Sequence, residues 1–405
     1  KQCKGRGKQP MVGFCHIKHA IALVVSAIAP IHKQTDVVPD QLPLISHRHG
    51  GNRQERAEAL GCKPQQLLDL SASLVPFGPP PWLPRAIKKA LRDELVPYPD
   101  RRYALLRRAI ADQHQLAPEQ VLPGNGAAEL FTWAARDAAA FQNLLPQPGF
   151  FDYQRALACW GAQVDFLALQ LQWSAAFPQC LEAALQNPLP HGAGKAIWIT
   201  NPHNPSGQLW SAASIKPLLQ DFELVIVDEA FLALVPGGEQ QSLVPLINKY
   251  PNLVVVRSLT KLFAVAGLRL GYALGDPERL ARWASWRDPW PVNGLAAAVG
   301  APLLADHGWA KKVQQWVAKE GAWLFQQLQQ LDGITPMPSA ANYFLVHGKN
   351  SLEPLRLTLE QQHHIILRDC RSFRGLNENY LRVALSDRNG NRRLIKALGA
   401  AVKGL

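Results

Sequence analysis

The sequence has no closely spaced cysteine pairs and no apolar run of membrane-spanning length. Its six cysteines are scattered over 405 residues, and no two form a C-x-x-C pair. This argues against a zinc ribbon or a disulfide framework and favours a reducing compartment, so we expect no bound metal and a cytoplasmic location. The longest apolar run, at residues 20–31, is shorter than the roughly 20 residues of a transmembrane helix, so we expect no membrane partner.

Internal repeats and low-complexity tracts are also missing, and charged residues make up 18% of the chain. The 47% of hydrophobic residues is enough for a full core, which excludes the disordered and fibrous classes. The net charge is +12, and residues 1–50 hold seven basic and two acidic residues. The mild surplus of positive charge in the rest of the chain suits either an anionic small substrate or a nucleic acid. We favour the anionic small substrate.

Residues 1–45 are predicted to be a variable N-terminal extension ahead of the folded part. The chain begins with Lys1, and Met11 lies inside the segment, which suggests a variable or mis-started end. Basic residues followed by the apolar run at residues 20–31 also resemble a secretory signal peptide in outline. Export is therefore the alternative interpretation.

The middle of the chain alternates short β-rich runs with helical stretches. This alternation predicts an α/β fold with a mostly parallel central sheet covered by helices on both faces. We place this large domain at residues 96–292. Runs typical of buried strands lie at residues 196–200, 224–227, 253–256 and 268–274.

The pattern changes after Pro291, which predicts a second domain. We expect a smaller α+β domain at residues 293–405, completed by an N-terminal segment at residues 46–95. Its predicted elements are helices at residues 295–305 and 309–331 and strands at residues 343–346, 365–367 and 380–385.

A lysine just past a buried strand is the strongest candidate for chemistry. Lys261 ends the run S-L-T-K that begins at Ser258, and Arg269 follows eight positions later. A partly desolvated lysine near other cations can have its pKa lowered enough to act as an amine nucleophile. Ser258 and Arg269 can bind a phosphate. By itself, the run could equally be a surface turn.

Three further motifs carry polar groups near strand ends or a helix start. Asp228, after the strand at residues 224–227, can keep a pyridinium nitrogen protonated, although a magnesium-type Asp-Glu pair or a structural cap is the alternative. Asn204, in the turn N-P-H-N-P-S-G, can present its amide to a phenolic oxygen of a cofactor. Gly126, in G-N-G, precedes helical backbone N–H groups that can bind phosphate, but such a turn is usually only a turn.

In this order and spacing the four motifs resemble those of the aspartate-aminotransferase-like (fold type I) pyridoxal-phosphate enzymes, over roughly residues 45–400. Within that group the chain looks most like the threonine-phosphate decarboxylases, and next like the histidinol-phosphate aminotransferases. The run H-G-G-N at residues 49–52 favours the decarboxylases, because the aminotransferases generally lack it. The runs Y-P-D at residues 98–100 and Y-L-R-V-A at residues 380–384 also fit.

The resemblance implies pyridoxal 5'-phosphate as the cofactor and assigns a role to each matching residue. Lys261 would bond covalently to the cofactor, Asp228 would pair with its pyridine nitrogen, and Asn204 would contact its phenolic oxygen. Arg382 would hold the substrate carboxylate, and Arg368 and His49 would hold the substrate phosphate. The remaining cofactor contacts would be Gly126, Ala127, Ala128, Phe150 (otherwise an ordinary core residue), Ser258, Arg269 and, from a neighbouring subunit, Tyr98.

Some positions depart from the family pattern and leave the substrate open. Ser73 and Val75 stand where the relatives carry asparagines, one of which normally helps to hold the substrate. Ala127 and Ala128 replace a Glu-Thr pair, which removes a side-chain hydroxyl. Phe231 stands where the aminotransferases usually carry tyrosine.

The resemblance implies a homodimer with shared active sites that decarboxylates L-threonine O-3-phosphate to (R)-1-amino-2-propanol O-2-phosphate in cobalamin biosynthesis. The alternative is an aminotransferase acting on histidinol phosphate or a related phosphorylated amino compound. A protein without enzymatic activity, either a nucleic-acid binder or a regulator with this fold, is disfavoured. It would not need Lys261, Asp228, Asn204 and Arg269 together.

Overall fold

The computed structural model describes residues 49–171, 176–190 and 193–401, so the predicted extension at residues 1–45 lies outside the described residues. The helices are α1 Arg53–Ala59, α2 Leu83–Asp93, α3 Ala104–His114, α4 Gly126–Ala138, α5 Phe151–Ala158, α6 Leu181–Ala184, α7 Ala212–Ile215, α8 Leu218–Asp221, α9 Leu259–Leu262, α10 Pro277–Ser285, α11 Gly294–Leu304, α12 His307–Gln329, α13 Glu353–His363 and α14 Arg388–Ala401. None of these helices combines the length and the apolarity needed to cross a membrane.

The strands form two sheets. The large sheet has the order β2-β8-β7-β6-β5-β3-β4, and the small sheet has the order β1-β11-β12-β10-β9. Their bounds are β1 Leu68–Leu70, β2 Val121–Asn125, β3 Gln142–Gln147, β4 Val164–Ala168, β5 Lys195–Thr200, β6 Leu224–Asp228, β7 Leu253–Ser258, β8 Leu270–Leu274, β9 Ile334–Pro336, β10 Tyr343–Gly348, β11 Ile365–Asp369 and β12 Tyr380–Ala384.

The large sheet is mainly parallel. Strands β4, β3, β5, β6 and β7 run in one direction, and β8 is antiparallel to both of its neighbours. Strands β5 and β6 are almost continuously apolar and buried, because a parallel sheet is covered on both faces. The predicted α/β fold with a mostly parallel sheet is confirmed.

Each face of the large sheet packs into a different part of the core. Leu224 and Ile226 of β6 lie on the face covered by α4 and α5, together with Trp198. Val225 and Val227 lie on the opposite face. Because side chains alternate along a strand, Asp228 falls on the face of α4 and α5. This alternation therefore determines which helices and side chains each residue at the end of β6 can contact.

The small sheet recruits a strand from the N-terminal part of the described chain. Strand β1 pairs in parallel with β11, while β11, β12, β10 and β9 pair antiparallel in turn. Helix α11 packs against α2, α3 and β8. The predicted domain boundaries at residues 95 and 292 stay a prediction.

Two features of the large sheet differ from the sequence prediction. Strand β8 begins at Leu270 rather than at residue 268, because Ala266–Leu268 forms a 3-10 turn and Arg269 has a φ of 56°. Strands β2, β3 and β4 were not predicted. Strand β2 contains a Pro-Gly step and β3 contains polar residues and a proline, so neither shows the apolar run of a buried parallel strand.

Candidate active site

A cavity of about 230 Å³ lies at the carboxyl ends of β5, β6 and β7. This is the edge at which open parallel sheets bind ligands. Helices α4 and α5 border the cavity, and β11 and β12 of the small sheet also contribute side chains. The predicted residues that line it are His49, Ala127, Ala128, Phe150, Asn204, Asp228, Ser258, Lys261, Arg269, Arg368 and Arg382.

Lys261 lies in α9, the short helix that directly follows β7. The side chain of Ser258 caps this helix by accepting a hydrogen bond from the Thr260 N–H at 3.3 Å. Burial, followed by the charges of Arg382 and Arg269, lowers the pKa of Lys261 to about 8, although Asp228 opposes the shift. The amine is thus easier to deprotonate than that of an exposed lysine, as a nucleophile requires.

Asp228 is a buried carboxylate held by two hydrogen bonds. Its Oδ1 accepts from the Ala230 N–H at 2.9 Å, and its Oδ2 accepts from the Tyr153 hydroxyl at 2.5 Å. Burial raises the pKa of Asp228 to about 6, while these hydrogen bonds and Lys261 limit the rise. The next residue, Glu229, pairs with Arg257 at 2.6 Å on the other face of the sheet. The two carboxylates therefore do not converge, which removes the magnesium-pair alternative.

Tyr153 is a residue that the sequence analysis missed. Its buried hydroxyl lies between Asp228 and the Thr200 Oγ1, which is 2.9 Å away. Burial and the neighbouring Asp228 raise the pKa of Tyr153 well above its usual value, so the phenol stays protonated and donates to Asp228. Its position one helical turn after Phe150, at the start of α5, is a signal that would have indicated a shared face.

Phe150 lines the cavity, is only partly buried, and also packs against the hydrophobic core. Its ring packs edge-on against Tyr153 with the centroids 5.5 Å apart, and His49 lies 6.1 Å away. The predicted stacking of Phe150 on a cofactor ring stays a prediction.

The start of α4 forms a cradle with Arg269. Gly126 is the first residue of this 13-residue helix, has a φ of 74°, and leaves space that a Cβ would fill at 2.6 Å from the Arg269 Nη2. A Cβ at Gly271 would lie 2.8 Å from the Ala127 N. Two glycines thus bring helix-terminal N–H groups, a guanidinium and the Ser258 hydroxyl together, a donor set that fits a phosphate dianion.

Arg382 connects three parts of the site. Its Nη1 donates to the Asn204 Oδ1 at 2.5 Å, and its Nη2 donates to the Ser71 carbonyl at 3.2 Å. The guanidinium also lies over the Tyr343 ring, 4.9 Å from its centroid. Burial lowers the pKa of Arg382. The side chain is fixed in place but keeps its positive charge facing the cavity.

Arg368 lies directly opposite Arg382, because the two residues are register partners on β11 and β12. Its Nη2 donates to the Ser372 Oγ at 2.5 Å. Burial, followed by the charge of Arg382, lowers the pKa of Arg368 to about 10. Two guanidiniums at one cavity repel each other, so anionic groups bound there would relieve the repulsion.

His49 lies at the exposed rim of the cavity that Arg368 also lines. Its Nε2 is 3.3 Å from the Asp152 Oδ1. The following glycines hold this segment in place. A Cβ at Gly50 would lie 2.3 Å from the Ser71 carbonyl oxygen, and the Gly51 N–H donates to the Ser71 Oγ at 3.0 Å. The run H-G-G-N is therefore packed against the residue that also binds Arg382.

The two positions at which the asparagines of the family are missing differ in the structure. Ser73 lines the cavity, is 1% exposed, and has no hydrogen-bond partner for its hydroxyl among the described residues. Val75 is packed in the core. Only the change at Ser73 alters the polar surface of the cavity.

Tyr98 is the predicted site residue that the structure leaves outside the cavity of its own chain. It is 77% exposed and stacks on Trp290 with the ring centroids 4.4 Å apart. Gly126 does not line the cavity either, but a Cβ at this position would lie 2.6 Å from the Nη2 of Arg269, which does. The contribution of Tyr98 to a neighbouring subunit stays a prediction.

Comparisons with known proteins show which family this chain resembles. The sequence profile of the aminotransferase class I and II family matches residues 65–398. The threonine-phosphate decarboxylase of Salmonella typhimurium is 35% identical over 376 residues, which cover 90% of this chain and 99% of that protein. The histidinol-phosphate aminotransferase of Symbiobacterium thermophilum is 31% identical over 344 residues, which cover 83% of this chain and 91% of that protein.

A solved structure shows the same fold. The crystal structure of the histidinol-phosphate aminotransferase from Clostridium acetobutylicum superposes with a TM-score of 0.72 and 25% identity, over 84% of this chain and 100% of that chain. Enzymes of this fold type act on small amino substrates, typically as dimers. The chain therefore belongs to the class I and II aminotransferase family, whose members use pyridoxal 5'-phosphate.

Proposed function

We propose that the protein decarboxylates L-threonine O-3-phosphate to (R)-1-amino-2-propanol O-2-phosphate in cobalamin biosynthesis. The observation that carries this proposal is the pair of buried guanidiniums of Arg368 and Arg382, which face one cavity from neighbouring strands. The substrate has a carboxylate and a phosphate, one for each arginine. The run H-G-G-N and the similarity to the Salmonella enzyme support the same choice.

The residues present fit the family cofactor. Bound pyridoxal phosphate supplies an aldehyde that reacts with amines and a protonated ring that withdraws electrons from the substrate Cα. Lys261 would bind the aldehyde end, Asp228 would pair with the ring nitrogen while Tyr153 holds its other oxygen, and Asn204 would contact the phenolic oxygen. The phosphate cradle would be Gly126, Ala127, Ala128, Ser258 and Arg269, with Phe150 against the ring and Tyr98 of the partner subunit completing the contacts.

The arginines would orient the substrate from both ends. Arg382 would bind the carboxylate, and Arg368 would bind the phosphate together with Ser372 and His49. Fixing both ends limits rotation about the N–Cα bond of the substrate, and this rotation decides which bond to Cα breaks. Loss of CO₂ would be favoured over loss of the Cα proton if Arg382 and Arg368 hold the bond to the carboxylate, rather than the Cα–H bond, in the aligned position.

Lys261 is the natural proton carrier for the second half of the reaction. When the bond between Cα and the carboxylate breaks, CO₂ leaves and Cα needs one proton. The Nζ of Lys261 lies in the same cavity, and its pKa of about 8 allows it to donate a proton and to regain one near neutral pH.

We also propose a homodimer in which each cavity receives Tyr98 from the partner. Leu95, Val96 and Tyr98 are 67%, 91% and 77% exposed, and a cluster of exposed apolar residues is typical of an interface. The dimeric habit of the fold type supports this proposal. The cytoplasmic location stays a prediction.

A product assay tests the reaction. Incubation of the holoenzyme with L-threonine O-3-phosphate, without any keto acid, should give sustained CO₂ release and no accumulation of the amino form of the cofactor. Arg368→Met should raise KM for this substrate about 100-fold, because it removes a charge-assisted contact to the phosphate. Arg371→Met is the matched control, since Arg371 is exposed and pairs with Asp369; it should leave KM unchanged.

The second candidate is an aminotransferase, favoured by the similarity to the Symbiobacterium enzyme. Histidinol phosphate also has a phosphate for Arg368, and a keto acid would use Arg382. Turnover of histidinol phosphate that requires 2-oxoglutarate, with no CO₂ from threonine phosphate, would replace the decarboxylase by this function.

A further inference from the structure

A buried ionic cluster lies behind the cavity, on the opposite face of the large sheet. Arg257 is 4% exposed and contacts the Glu229 Oε2 at 2.6 Å through Nη2. The same guanidinium binds both carboxylate oxygens of Glu239, at 2.7 and 2.9 Å, and the Ser242 Oγ at 2.9 Å. Glu229 also accepts hydrogen bonds from Ser242 and from the Leu243 N–H, at 2.9 and 2.8 Å. Both partners of the central pair are thus buried, whereas the Glu239 side chain is half exposed. The Nε of Arg257 has no hydrogen-bond partner among the described residues.

The position of the pair relative to the cavity follows from strand alternation. Glu229 directly follows Asp228 at the end of β6, and Arg257 directly precedes Ser258 at the end of β7. Adjacent residues point to opposite faces of a sheet. Asp228 and Ser258 therefore share the cavity face, and Glu229 and Arg257 share the other face.

The Glu229–Arg257 pair connects β6, which carries Asp228, with β7, which carries Ser258 and leads to Lys261. Strands β6 and β7 are parallel neighbours, and the Glu229 N–H donates to the Val256 carbonyl at 2.9 Å. Beyond Arg257 the chain turns into α9, which carries Lys261. Gly271 of β8 lies between the Arg257 carbonyl and the start of α4, since a Cβ at Gly271 would lie 2.8 Å from that carbonyl and 2.8 Å from the Ala127 N.

We propose that the Glu229–Arg257 pair is a positioning device for the cofactor. It holds the ends of β6 and β7 at a fixed separation, so that Asp228 and the turn from Ser258 to Lys261 engage one cofactor at the same time. The inference rests on the proposed cofactor contacts of these three residues and does not depend on the substrate.

Stability alone does not account for the pair. Replacing a buried ion pair by apolar side chains of similar volume is often neutral or stabilising, because the charges are costly to desolvate. An arginine that spans two carboxylates does fix geometry, since its planar fork binds each in a defined orientation. If the pair had only a structural role, an apolar replacement would leave cofactor binding unchanged. If the pair has a positioning role, the same replacement would keep the stability and weaken cofactor binding.

The test uses a packing-matched double variant, Arg257→Met with Glu229→Leu. Its apo-protein should unfold at a temperature close to that of the wild type. Its affinity for pyridoxal phosphate, measured by fluorescence titration, should fall at least tenfold, as expected when groups that orient contact residues are lost. The midpoint of the pH titration of the bound-cofactor absorbance should also shift, because the distance between Lys261 and Asp228 is no longer held.

The control is a part-buried ion pair between Arg388 of α14 and Glu320 of α12, 2.8 Å apart, with the Arg388 side chain 31% exposed. Arg388→Met with Glu320→Leu should leave the cofactor affinity and the absorbance midpoint unchanged. Arg257→Lys keeps the charge but loses the fork, so an intermediate loss of affinity is expected. This single variant also serves if the double variant does not fold.

Cofactor affinity within twofold of the wild type, with an unchanged absorbance midpoint, in the double variant or in Arg257→Lys would overturn the inference. Borohydride reduction of the wild-type holoenzyme, followed by peptide mapping, separately tests the assignment of Lys261. Labelling of another lysine would remove the proposed site itself, so the two failures are distinguishable.

Discussion

At the residue scale, burial shifts the pKa values of Lys261 and Asp228 in opposite directions. It lowers the pKa of Lys261 to about 8 and raises the pKa of Asp228 to about 6. Each shift disfavours the charged form, because a low-dielectric site solvates charge poorly. At neutral pH the carboxylate is still mostly ionised, and a usable fraction of the lysine is free amine. Both states suit a group that holds a pyridinium nitrogen and a group that attacks an aldehyde.

The lowered pKa of Lys261 gives a pH-dependent prediction. In the apo-protein, the rate at which an amine-reactive reagent labels Lys261 should rise with pH and reach half its maximum near pH 8. An ordinary lysine would reach this point near its usual pKa of 10.5. The half-maximum should lie at the lower pH because only the unprotonated amine reacts. Labelling followed by peptide mapping at a series of pH values measures it.

Exposed Lys249 provides the internal comparison in the same digest, because it lies outside the cavity. A half-maximum for Lys261 above pH 10 would show that the cavity does not depress its pKa.

At the element scale, the start of α4 and the turn before β8 form the proposed phosphate cradle through close backbone approach. Gly126 has a positive φ and faces Arg269, and Gly271 lets β8 approach the Ala127 N. Side chains of Ala127 and Ala128 contribute no hydrogen bonds, so the cradle relies on backbone donors, the Ser258 hydroxyl and Arg269. The loss of a side-chain hydroxyl there, noted in the sequence, leaves the main donors in place.

Gly126→Ala should therefore weaken cofactor binding more than it weakens the fold. The left-handed backbone would cost about 1–2 kcal/mol, and the new Cβ would push Arg269 away from the cradle. We expect a loss of affinity for pyridoxal phosphate of about 10- to 100-fold, comparable to the loss of one charge-assisted contact. Fluorescence titration and thermal unfolding measure the two effects.

Gly61→Ala is the matched control, because Gly61 has a φ of 62° and no heavy atom within 4 Å of its added Cβ. It should lose similar stability and keep the wild-type affinity. Equal affinities of the Gly126 and Gly61 variants would contradict the role of the cradle.

At the scale of the whole molecule, side chains from both sheets meet at one cavity. Asp228 and Ser258 come from the large sheet, whereas Arg368 and Arg382 come from the small sheet. The same assembly leaves Tyr98 and its apolar neighbours exposed on the surface. A dimer that covers this surface would both bury it and complete the site.

Subunit mixing tests the shared site. Tyr98→Phe and Lys261→Ala chains should each be impaired, and their equal mixture should recover about one quarter of the wild-type sites, because half of the dimers are hybrids and each hybrid has one intact site. The measurement is decarboxylation activity after refolding the chains together. If the chains exchange and Tyr98→Phe alone is impaired, a mixture without recovery would show that Tyr98 does not act across the interface.

The local motifs were predictable from the sequence. The strands β5, β6 and β7 are apolar runs that end in polar residues, so the placement of Asp228, Ser258 and Lys261 at one edge of the sheet follows from the parallel fold. The glycine at the start of α4 also has a local signature. Strands with proline or polar residues, such as β3, have no such pattern and were missed.

The sequence by itself determined which reactive or polar residues stand at each strand end and turn. It could do so because the spacing of apolar residues and the backbone preferences of glycine and proline act over only a few residues. Only the tertiary structure decided that Tyr153 supports Asp228, that Glu229 turns away to Arg257, and that Ser73 faces the cavity while Val75 joins the core. These outcomes depend on the pairing of segments that are distant in the chain, and such pairing sets which face each side chain occupies and which atoms come within hydrogen-bond distance.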